Sequence, residues 1–311
     1  MSRTIPARER IAEAQARLAP HLPITGLRPA GDGLPALKLE TELPTGSFKP
    51  RGALYVLLRR LELGPVAEVI ASSTGNHGAA VAWAAQKLGV PATIFLPRNP
   101  NPVKRQNILA LGGRIVEVEA ADISAAAAAA GVYARRPGVF YLDDATDPDV
   151  PAATGTIALE ILEQFPQVEA VYVPMGDTAL MRGVAAAVTH ARPGIRLLGV
   201  QAERAACYYL SWKAGHAVST ESCDTIADGL ATRTPQPENV AAIRELVDDV
   251  LLVSEEEMLQ AVSLLHVRAG VLAEPSGAAA TAAFLKQPAE RAVALVTGAN
   301  ISAAVRLRAG V

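Results

Sequence analysis

One lysine stands in a segment whose composition suits covalent chemistry. The segment runs from Leu43 to Ala53, reads LPTGSFKPRGA, and places Lys49 directly after Phe48. A helical pattern from Ala53 to Leu61 follows it. An apolar setting favours the neutral amine of a lysine and makes it a nucleophile, and Phe48 with the following helix can supply that setting. Taken alone, a Ser-Phe-Lys triplet is more often a surface lysine in a turn, so the assignment needs support from elsewhere.

A second segment places small residues, an asparagine and a histidine between a strand and a helix. It reads ASSTGNHGA, residues 71–79, and includes Ser73, Thr74, Asn76 and His77. Free backbone N–H groups at such a turn bind anions, and the helix N-terminus reinforces the effect. A substrate carboxylate is a natural occupant, and Asn76 can hydrogen-bond a phenolic oxygen. In isolation the same residues are an ordinary helix cap.

Two further turns follow predicted strands, where α/β sheets place their ligands. One is VPMGDTAL, residues 173–180, which joins a strand to a helix and so can cradle a phosphate. The other is LVTGAN, residues 295–300, in which Thr297 and a glycine end a strand. Neither turn is specific alone. The first is not a P-loop, and no GxGxxG dinucleotide fingerprint follows an early strand.

The elements that must position these residues alternate between strands and helices. Short apolar runs predict strands at 66–71, 92–96, 114–118, 139–142, 168–173, 196–200, 250–253 and 292–296. Helical patterns predict helices at 78–88, 102–111, 124–135, 154–165, 180–191, 255–269 and 276–286. Ser254 and Glu257 form a predicted capping box before one of these helices. The alternation predicts an α/β fold with parallel sheets covered on both faces.

Composition indicates a folded protein of one or two domains. The chain has 311 residues, 50% hydrophobic and 19% charged, and its formal net charge of -2 gives no reason to expect nucleic acid or a membrane as partner. Cys207 and Cys223 are interpreted as reduced thiols of a cytoplasmic protein. We expect neither a signal peptide nor a membrane span, because no apolar run is long enough. The short segment after the last strand predicts no further C-terminal domain.

In their order along the chain, these four segments resemble the fold-type II pyridoxal-phosphate enzymes, above all the threonine/serine dehydratase and serine racemase group. The most specific segments are PTGSFKPRGA, STGNHG, TIADGLA (225–231) and AEPSGA (273–278). The resemblance covers nearly the whole chain. It implies an α/β fold of two open parallel-sheet domains, the tryptophan synthase β-like architecture. It also implies pyridoxal 5'-phosphate as the cofactor.

The resemblance gives individual residues of this chain a role at the cofactor. Lys49 matches the lysine that carries the cofactor as a Schiff base, and Phe48 matches the aromatic residue packed against its ring. Asn76 matches the partner of the ring hydroxyl, and Thr297 matches the hydroxyl residue that faces the pyridine nitrogen. The other cofactor-binding residues it implies are Gly176, Asp177, Thr178, Ala179, Leu180, Gly229 and Glu274.

A second set of residues is expected to bind the substrate. Ser73, Thr74 and His77, with Asn76 between them, match the loop that binds the substrate carboxylate, and Thr232 is expected to reach a substrate hydroxyl. Thr74 stands where racemases of the group place a serine, and its hydroxyl can do acid–base work. Its extra methyl group restricts the rotamer, which argues against racemization. The expected catalytic residues are Lys49 and Thr74.

The family fold implies a discontinuous large domain with a smaller one inserted in it. We predict a large cofactor-binding domain at 1–66 and 146–311 and a small domain at 67–145, with the cofactor between them. We expect a homodimer in the cytoplasm whose partner molecule is a small amino-acid substrate.

The expected reaction is β-elimination of L-threonine or L-serine to a 2-keto acid and ammonia. The freed amine of Lys49 removes the Cα proton while the cofactor ring holds the charge. A neutral hydroxyl at Thr297 cannot keep the ring nitrogen protonated as a carboxylate would, and this favours elimination over transamination. Racemization and β-replacement stay open as alternatives. So does a catalytically silent cofactor-binding protein with a regulatory role.

Two departures from the family pattern matter. Asp177, Thr178 and Ala179 stand where glycines are common, so we expect the carboxylate of Asp177 to point away from phosphate or to bind a local N–H. Thr178 can donate to phosphate through its hydroxyl. Some members bind a divalent cation in the region of 199–207, but Glu203 is its only carboxylate. We therefore expect no metal and interpret Gln201 and Glu203 as a polar strand end.

Overall fold

The computed structural model describes residues 4–31, 33–73, 75–98, 102–119 and 123–311, without the side chains of 102–104. The described residues divide into two compact units. The first unit combines the N-terminal residues through Phe48 with Pro151–Val311, and the second is Lys49–Val150. The assignment of a large and a small domain with boundaries at 67 and 145 stays a prediction.

The first unit is built on a mainly parallel sheet. Its strands are β1 (Leu27–Arg28), β2 (Ala36–Leu39), β7 (Ala170–Pro174), β8 (Arg196–Ala202), β9 (Asp249–Val253) and β10 (Ala292–Val296). Among the described residues they form a six-stranded sheet in the order β1-β2-β10-β7-β8-β9. Only the β1–β2 pair is antiparallel within it. The carboxyl ends of the parallel strands therefore meet at one edge.

Helices of the first unit connect these strands. They are α1 (Arg8–Leu18), α6 (Val150–Gln164), α7 (Ala179–Ala191), α8 (Cys207–Ala214), α9 (Pro237–Leu246), α10 (Glu255–Ala269), α11 (Pro275–Lys286) and α12 (Ala303–Ala309). The predicted capping box is confirmed: Ser254 Oγ accepts from the Glu257 N–H at 3.1 Å, and the Glu257 carboxylate accepts from the Ser254 N–H at 2.7 Å. Two backbone N–H groups at the start of α10, which have no acceptor within the helix, are thus hydrogen-bonded.

The second unit is a smaller α/β layer structure. Its strands are β3 (Glu68–Ser72), β4 (Ala92–Pro97), β5 (Arg114–Val118) and β6 (Val139–Tyr141). Among its described residues they form a four-stranded parallel sheet in the order β5-β4-β3-β6. Its helices are α2 (Lys49–Glu62), α3 (Asn76–Leu88), α4 (Pro102–Ala110) and α5 (Ile123–Tyr133). The predicted α/β class with parallel sheets is confirmed.

A buried ion pair stabilises the core of the first unit. Lys38, in β2, has no exposed surface, and its Nζ lies 2.6 Å from the carboxylate of Glu160 in α6. The ammonium also donates to the carbonyl of Thr25 at 2.7 Å and to the side chain of Gln164 at 2.9 Å. All three of its protons therefore have acceptors, which a buried charge requires.

We compared the described helices with the length and composition that a membrane-spanning helix requires. None of its helices combines the length and the apolar composition needed to cross a bilayer.

Gly183 in α7 allows close contact between two helices of the first unit, and a side chain there would disrupt it. A Cβ at Gly183 would lie 2.1 Å from the carbonyl of Pro151 and 2.1 Å from Thr154 Oγ1, both in α6. We expect Gly183→Ala to lower the free energy of unfolding by about 3 kcal/mol, the upper part of the usual overpacking range. Denaturant unfolding measures this change.

Gly131 provides the matched control, because it is also a helical glycine, but among the described residues outside its own helix backbone no atom lies within 4 Å of the position that a Cβ would take. We expect Gly131→Ala to raise the free energy of unfolding by about 0.5–1 kcal/mol through helix propensity alone. Equal effects of the two substitutions would contradict the packing argument.

Asp147, in the loop after β6, makes stability depend on pH. Burial raises the pKa of Asp147 to about 6, and the neighbouring Asp149 and Asp143 carboxylates add to the effect. Between its ordinary pKa of 3.8 and this value the folded chain holds a proton that the unfolded chain has lost. The free energy of unfolding therefore falls as the pH rises from 3.8 to about 6. Asp147→Asn removes the ionisation and keeps the oxygen that accepts from the Asp149 N–H.

We expect the Tm of Asp147→Asn to exceed that of the parent protein at about pH 7.5 and to converge with it near about pH 4. Thermal unfolding across this range is the measurement. A difference that stays constant with pH would show that Asp147 is not the titrating group.

Candidate active site

The backbone that leads into Lys49 is fixed at the carboxyl end of β10. The Phe48 N–H donates to the carbonyl of Thr297 at 3.1 Å, and the Ala299 N–H donates to the carbonyl of Gly46 at 2.9 Å. Gly46 has a φ of 67°, a left-handed conformation that glycine adopts without strain. Lys49 directly follows Phe48 and is the first residue of α2.

The side chain of Lys49 lies against a carboxylate of its own unit. Its Nζ is 2.5 Å from Asp144 Oδ2, and both side chains keep 18% of their surface exposed. Burial alone would raise the pKa of Asp144, but His77 and Lys49 outweigh it and hold the pKa at about 2. Asp144 is therefore an anion near neutral pH. Lys49 has this carboxylate as its direct partner, not the apolar setting that the sequence led us to expect, and an adjacent anion favours the charged ammonium.

His77 is the third member of this cluster, and its ring is buried. Its Nε2 lies 3.0 Å from the carbonyl of Leu142 and its Nδ1 lies 3.4 Å from Asp144 Oδ2. Because a carbonyl only accepts, Nε2 must carry the hydrogen, and Nδ1 faces the carboxylate. The strand pairing explains the arrangement: β3 and β6 are parallel neighbours, so the loops that follow them meet.

The rest of the glycine–asparagine loop lies at the start of α3. Asn76 is half-buried and begins the helix, and Ser73 Oγ accepts from the Gly75 N–H at 3.2 Å. A Cβ on Gly78 would stand 2.9 Å from the side chain of Ile94, so the helix start requires a glycine at this position. Thr74 lies outside the described residues, and its predicted catalytic and substrate-binding roles stay predictions.

The predicted phosphate loop joins β7 to α7 in the first unit. Asp177 Oδ1 accepts from the Ala179 N–H at 2.8 Å, so the expectation that this carboxylate binds a local backbone group is confirmed. Thr178 is the residue before the helix and is buried, with a φ of 76°. Leu180 lies in the first turn, where the backbone N–H groups have no acceptor within the helix.

Arg182, one turn into α7, is a buried cation behind this loop. Only 1% of its surface is exposed, and its Nε donates to Thr178 Oγ1 at 3.1 Å. A second guanidinium nitrogen donates to the carbonyl of Thr4 at 3.0 Å. Burial lowers the pKa of Arg182, while Asp177 and Tyr208 act in the opposite direction.

The other cofactor-binding residues predicted in the first unit surround the end of β10. Thr297 and Glu274 are both buried, and the Glu274 N–H donates to the carbonyl of Gly298 at 2.9 Å. A Cβ on Gly277 would stand 2.3 Å from that same carbonyl, so α11 approaches the strand end closely. The pairing of β10 with β7 brings this strand end to the same edge of the sheet as the phosphate loop.

Gly176 and Gly229, both predicted to bind the cofactor, form a narrow backbone contact. A Cβ on Gly176 would stand 2.3 Å from the carbonyl of Gly229, and one on Gly229 would stand 2.9 Å from Ser276 Oγ. Glycines bring the backbone close enough for its N–H groups to contact a ligand. With the open helix start, the backbone donors present in the first unit fit a phosphate. Lys49, in the second unit, carries the amine that an aldehyde-bearing cofactor requires.

The remaining predicted residues are Thr232, Gln201 and Glu203. Thr232 is half-buried, just after a short 3-10 turn at Asp228–Leu230. Gln201 is buried at the end of β8 and accepts from the Tyr209 N–H at 2.7 Å, while Glu203 lies 3.7 Å from Lys286 Nζ. In the described part of the chain, no group of three or more His, Cys, Asp or Glu side chains is arranged to hold a metal ion.

Sequence reasoning missed Asp144 and Arg182. A signal for Asp144 was available, because an Asp-Asp pair directly follows a predicted strand and the carboxyl ends of parallel strands bind ligands. Arg182 stands four residues after Thr178, the spacing at which helical side chains meet. Its guanidinium, however, contacts Thr4, 178 residues away in sequence, and no local pattern in the sequence reveals this contact.

Comparison with known proteins identifies the family of this chain. The family model described as pyridoxal-phosphate dependent enzyme matches residues 20–298. An L-threonine ammonia-lyase of Thermotoga maritima is 35% identical over 268 residues, which cover 85% of this chain and 67% of that enzyme.

Solved structures extend the similarity to almost the whole chain. Maize serine racemase is similar with a TM-score of 0.88 at 30% identity, covering 97% of this chain and 96% of that one. A T.th. threonine deaminase has a TM-score of 0.87 at 34% identity, covering 96% and 99%. The chain therefore belongs to the family of pyridoxal-phosphate dependent enzymes and has the fold-type II architecture.

Proposed function

We propose that this enzyme is an ammonia-lyase that converts L-threonine or L-serine into a 2-keto acid and ammonia. The observation that carries the proposal is the position of Lys49, whose amine is held by Asp144 and whose backbone continues from a segment fixed at the end of β10. The named relatives support it, since L-threonine ammonia-lyases match over 85% of the chain.

The cofactor residues are assigned from the fit of the donors. Gly176, Asp177, Thr178, Ala179 and Leu180 would surround the phosphate, with the Gly229 backbone beside them. Phe48, Asn76, Glu274 and Thr297 would contact the ring and its substituents. Bound at Lys49, pyridoxal phosphate supplies an electron sink for the charge left on the substrate Cα.

Lys49 is proposed as the base that takes the proton from the substrate Cα. The carboxylate of Asp144, ionised near neutral pH, stabilises the positive charge that the amine acquires with this proton. The Nδ1 atom of His77 lies 3.4 Å from the same carboxylate. A base fixed in this way loses little conformational freedom when it acts.

Thr297 and the loop at 73–77 are proposed to determine the step after proton removal. A threonine hydroxyl carries no charge, so at the pyridine nitrogen it gives less stabilisation than a carboxylate would, and departure of the β-substituent is favoured over a long-lived carbanion. Ser73, Thr74, Asn76 and the backbone at His77 are proposed to bind the substrate carboxylate. Thr232 is proposed to reach the substrate hydroxyl.

The substrate is proposed to be small and neutral at its β-position. The run 125–130 in α5 has no charged residue, and its Ala126 and Ala130 pack in a core with Phe95. The nearby Arg136 stacks over the ring of Tyr133 at 3.9 Å. Arg136 therefore has a partner other than a second substrate carboxylate, which would be costly to desolvate without a cation.

Serine racemization is the second candidate, because maize serine racemase is among the similar structures. It requires reprotonation of Cα on the second face, and Thr74 is the residue that the sequence places there. We further propose that the enzyme is a cytoplasmic homodimer. We also propose that its activity needs no divalent cation, because Glu203 has Lys286 as its neighbour.

Lys49 is expected to be the only lysine linked to the cofactor. Borohydride reduction of the holoenzyme, followed by peptide mapping, should place the label on Lys49. Lys49→Arg is the matched control, because it keeps a positive charge opposite Asp144 and removes the reactive amine. It should fold, take no label, and release ammonia from serine at least about a thousandfold more slowly. A label on Lys38 or Lys104 would contradict the assignment.

Elimination is expected to dominate over racemization. We expect keto acid to form faster than D-amino acid from both L-serine and L-threonine, and threo-hydroxyaspartate to react poorly because its second carboxylate meets no cation. Parallel assays of keto acid and D-amino acid measure the ratio, and a chelator should leave both rates unchanged. Faster D-serine than pyruvate formation would establish the racemase instead. A preference for hydroxyaspartate would disprove the substrate assignment.

A further inference from the structure

The buried ring of His77 faces the loop after β6 with both of its nitrogens. Nε2 lies 3.0 Å from the carbonyl of Leu142, and Nδ1 lies 3.4 Å from Asp144 Oδ2. Only 6% of His77 is exposed. Burying a polar ring is costly unless its nitrogens have partners, and here one loop provides both. The substrate-binding role proposed for His77 uses its backbone alone, so the ring is the feature to explain.

Leu142 directly follows β6, and its backbone is fixed from two sides. Its N–H donates to the carbonyl of Ile70 in β3 at 2.9 Å, one residue beyond the last paired position of β6. Its carbonyl accepts from Nε2 of His77, in the first turn of α3. The ring therefore extends the connection between β3 and β6 past the end of the sheet, and the loop that carries Asp144 starts from a fixed point.

The two adjacent aspartates of this loop have different partners. Asp143 accepts from the Ala145 N–H at 3.1 Å and from Thr146 Oγ1 at 2.8 Å, so its carboxylate stabilises the loop itself. Asp144 Oδ2 lies 2.5 Å from Lys49 Nζ and faces the ring of His77. The loop thus uses one carboxylate for its own fold and presents the other to the lysine.

Electrostatic interaction with His77 acts on the carboxylate of Asp144. Burial would raise the pKa of Asp144, and His77, followed by Lys49, lowers it to about 2. In its protonated form the ring has one hydrogen for the carbonyl of Leu142 and one that faces Asp144. Lys49 belongs to α2 and His77 to α3. A carboxylate that is attracted by groups on two helices is held in place more firmly than one with a single partner.

We propose that the ring of His77 is a positioning residue, which fixes the carboxylate of Asp144 against the amine of Lys49 and ties the loop after β6 to the start of α3. The inference deepens the proposed function and rests on it, because it takes Lys49 as the base. Nδ1 acts on the chemical step through Asp144. Nε2, through Leu142, fixes the backbone that is proposed to bind the substrate carboxylate.

His77→Gln tests the contact with Asp144. The glutamine amide can take the place of Nε2 and keep the bond to Leu142, while the group that faces Asp144 is removed. The full-length holoenzyme is assayed for keto acid release from L-serine and L-threonine. We expect kcat to fall about tenfold, because a misplaced base slows the chemical step, and KM to stay within about threefold.

His77→Asn tests the other contact. The asparagine amide takes the place of Nδ1 and keeps a donor toward Asp144, while the bond to Leu142 is lost. We expect KM to rise about tenfold and kcat to stay within about threefold, since the carboxylate-binding backbone loses its tie. A merely structural ring would change kcat and KM in the same way in both variants. That result, or an unchanged kcat in His77→Gln, would overturn the proposal.

His190 in the first unit provides the matched control. Its Nε2 also lies 3.0 Å from a backbone carbonyl, that of Pro6. His190→Gln therefore repeats the chemical change at a place outside the proposed machinery. We expect kcat and KM to stay within about twofold of the parent enzyme. A tenfold loss of kcat here as well would show that the effect at His77 is not specific, and the positioning role would be refuted.

A double-mutant cycle tests whether His77 acts through Asp144. Asp144→Asn alone should lower kcat at least about tenfold, because the amine loses its anionic partner. Adding His77→Gln should then lower kcat no further. Losses that multiply would show that the ring acts without Asp144, and the proposal would be wrong.

The 15N resonances of the histidine rings give a readout that needs no turnover. In Asp144→Asn, which leaves the ring of His77 intact, the Nδ1 resonance of His77 should move and those of His190 should stay. An unmoved Nδ1 resonance would refute the contact, even if both His77 variants fail to fold. If the parent holoenzyme forms no keto acid, the proposed function fails while this measurement still decides the contact. If the parent is active and the His77 variants match it, only the role of His77 is overturned.

Discussion

Parallel strand pairing is the constraint on which the candidate site depends. In each unit the carboxyl ends of neighbouring strands reach the same edge of the sheet, because parallel hydrogen bonding aligns their directions. In the second unit this brings the residues after β3 and β6 together, so that His77 meets Asp144 and Asp144 meets Lys49. Residues far apart in sequence thus form one charged cluster without any local motif that joins them.

The same constraint acts in the first unit around β10. This strand lies between β2 and β7, so its carboxyl end is beside both the segment that leads to Lys49 and the loop that precedes α7. Hydrogen bonds from Phe48 and Glu274 to the residues at 297–298 fix that end. Backbone pairing within the first unit thus sets the positions of the segment before Lys49, the strand-end Thr297 and the turn before α7.

Close backbone contacts and a buried charge both stabilise loops in the described part of the first unit. Gly176, Gly229 and Gly277 have no side chain because a carbonyl or a hydroxyl occupies the space that a Cβ would need. At Thr178 the chain instead keeps a side chain in a strained conformation and supports it with Arg182. A buried guanidinium is stable only with acceptors and nearby negative charge. The loop supplies the hydroxyl oxygen of Thr178 and the carboxylate of Asp177, and the carbonyl of Thr4 is a further acceptor.

The sequence by itself determined two kinds of feature. One is the helices and strands that follow from local residue patterns, and the other is the family that follows from the order of the motifs. Strands such as 114–118 and 292–296 follow from apolar runs, the cap of α10 follows from Ser254 and Glu257, and the order of four segments predicted the family. Only the tertiary structure decided β2, where Lys38 interrupts the apolar pattern and becomes stable through Glu160, 122 residues later. It also decided the roles of Asp144 and Arg182. Charged residues look alike in sequence whether solvated or buried, and only the folded chain supplies the partners that distinguish them.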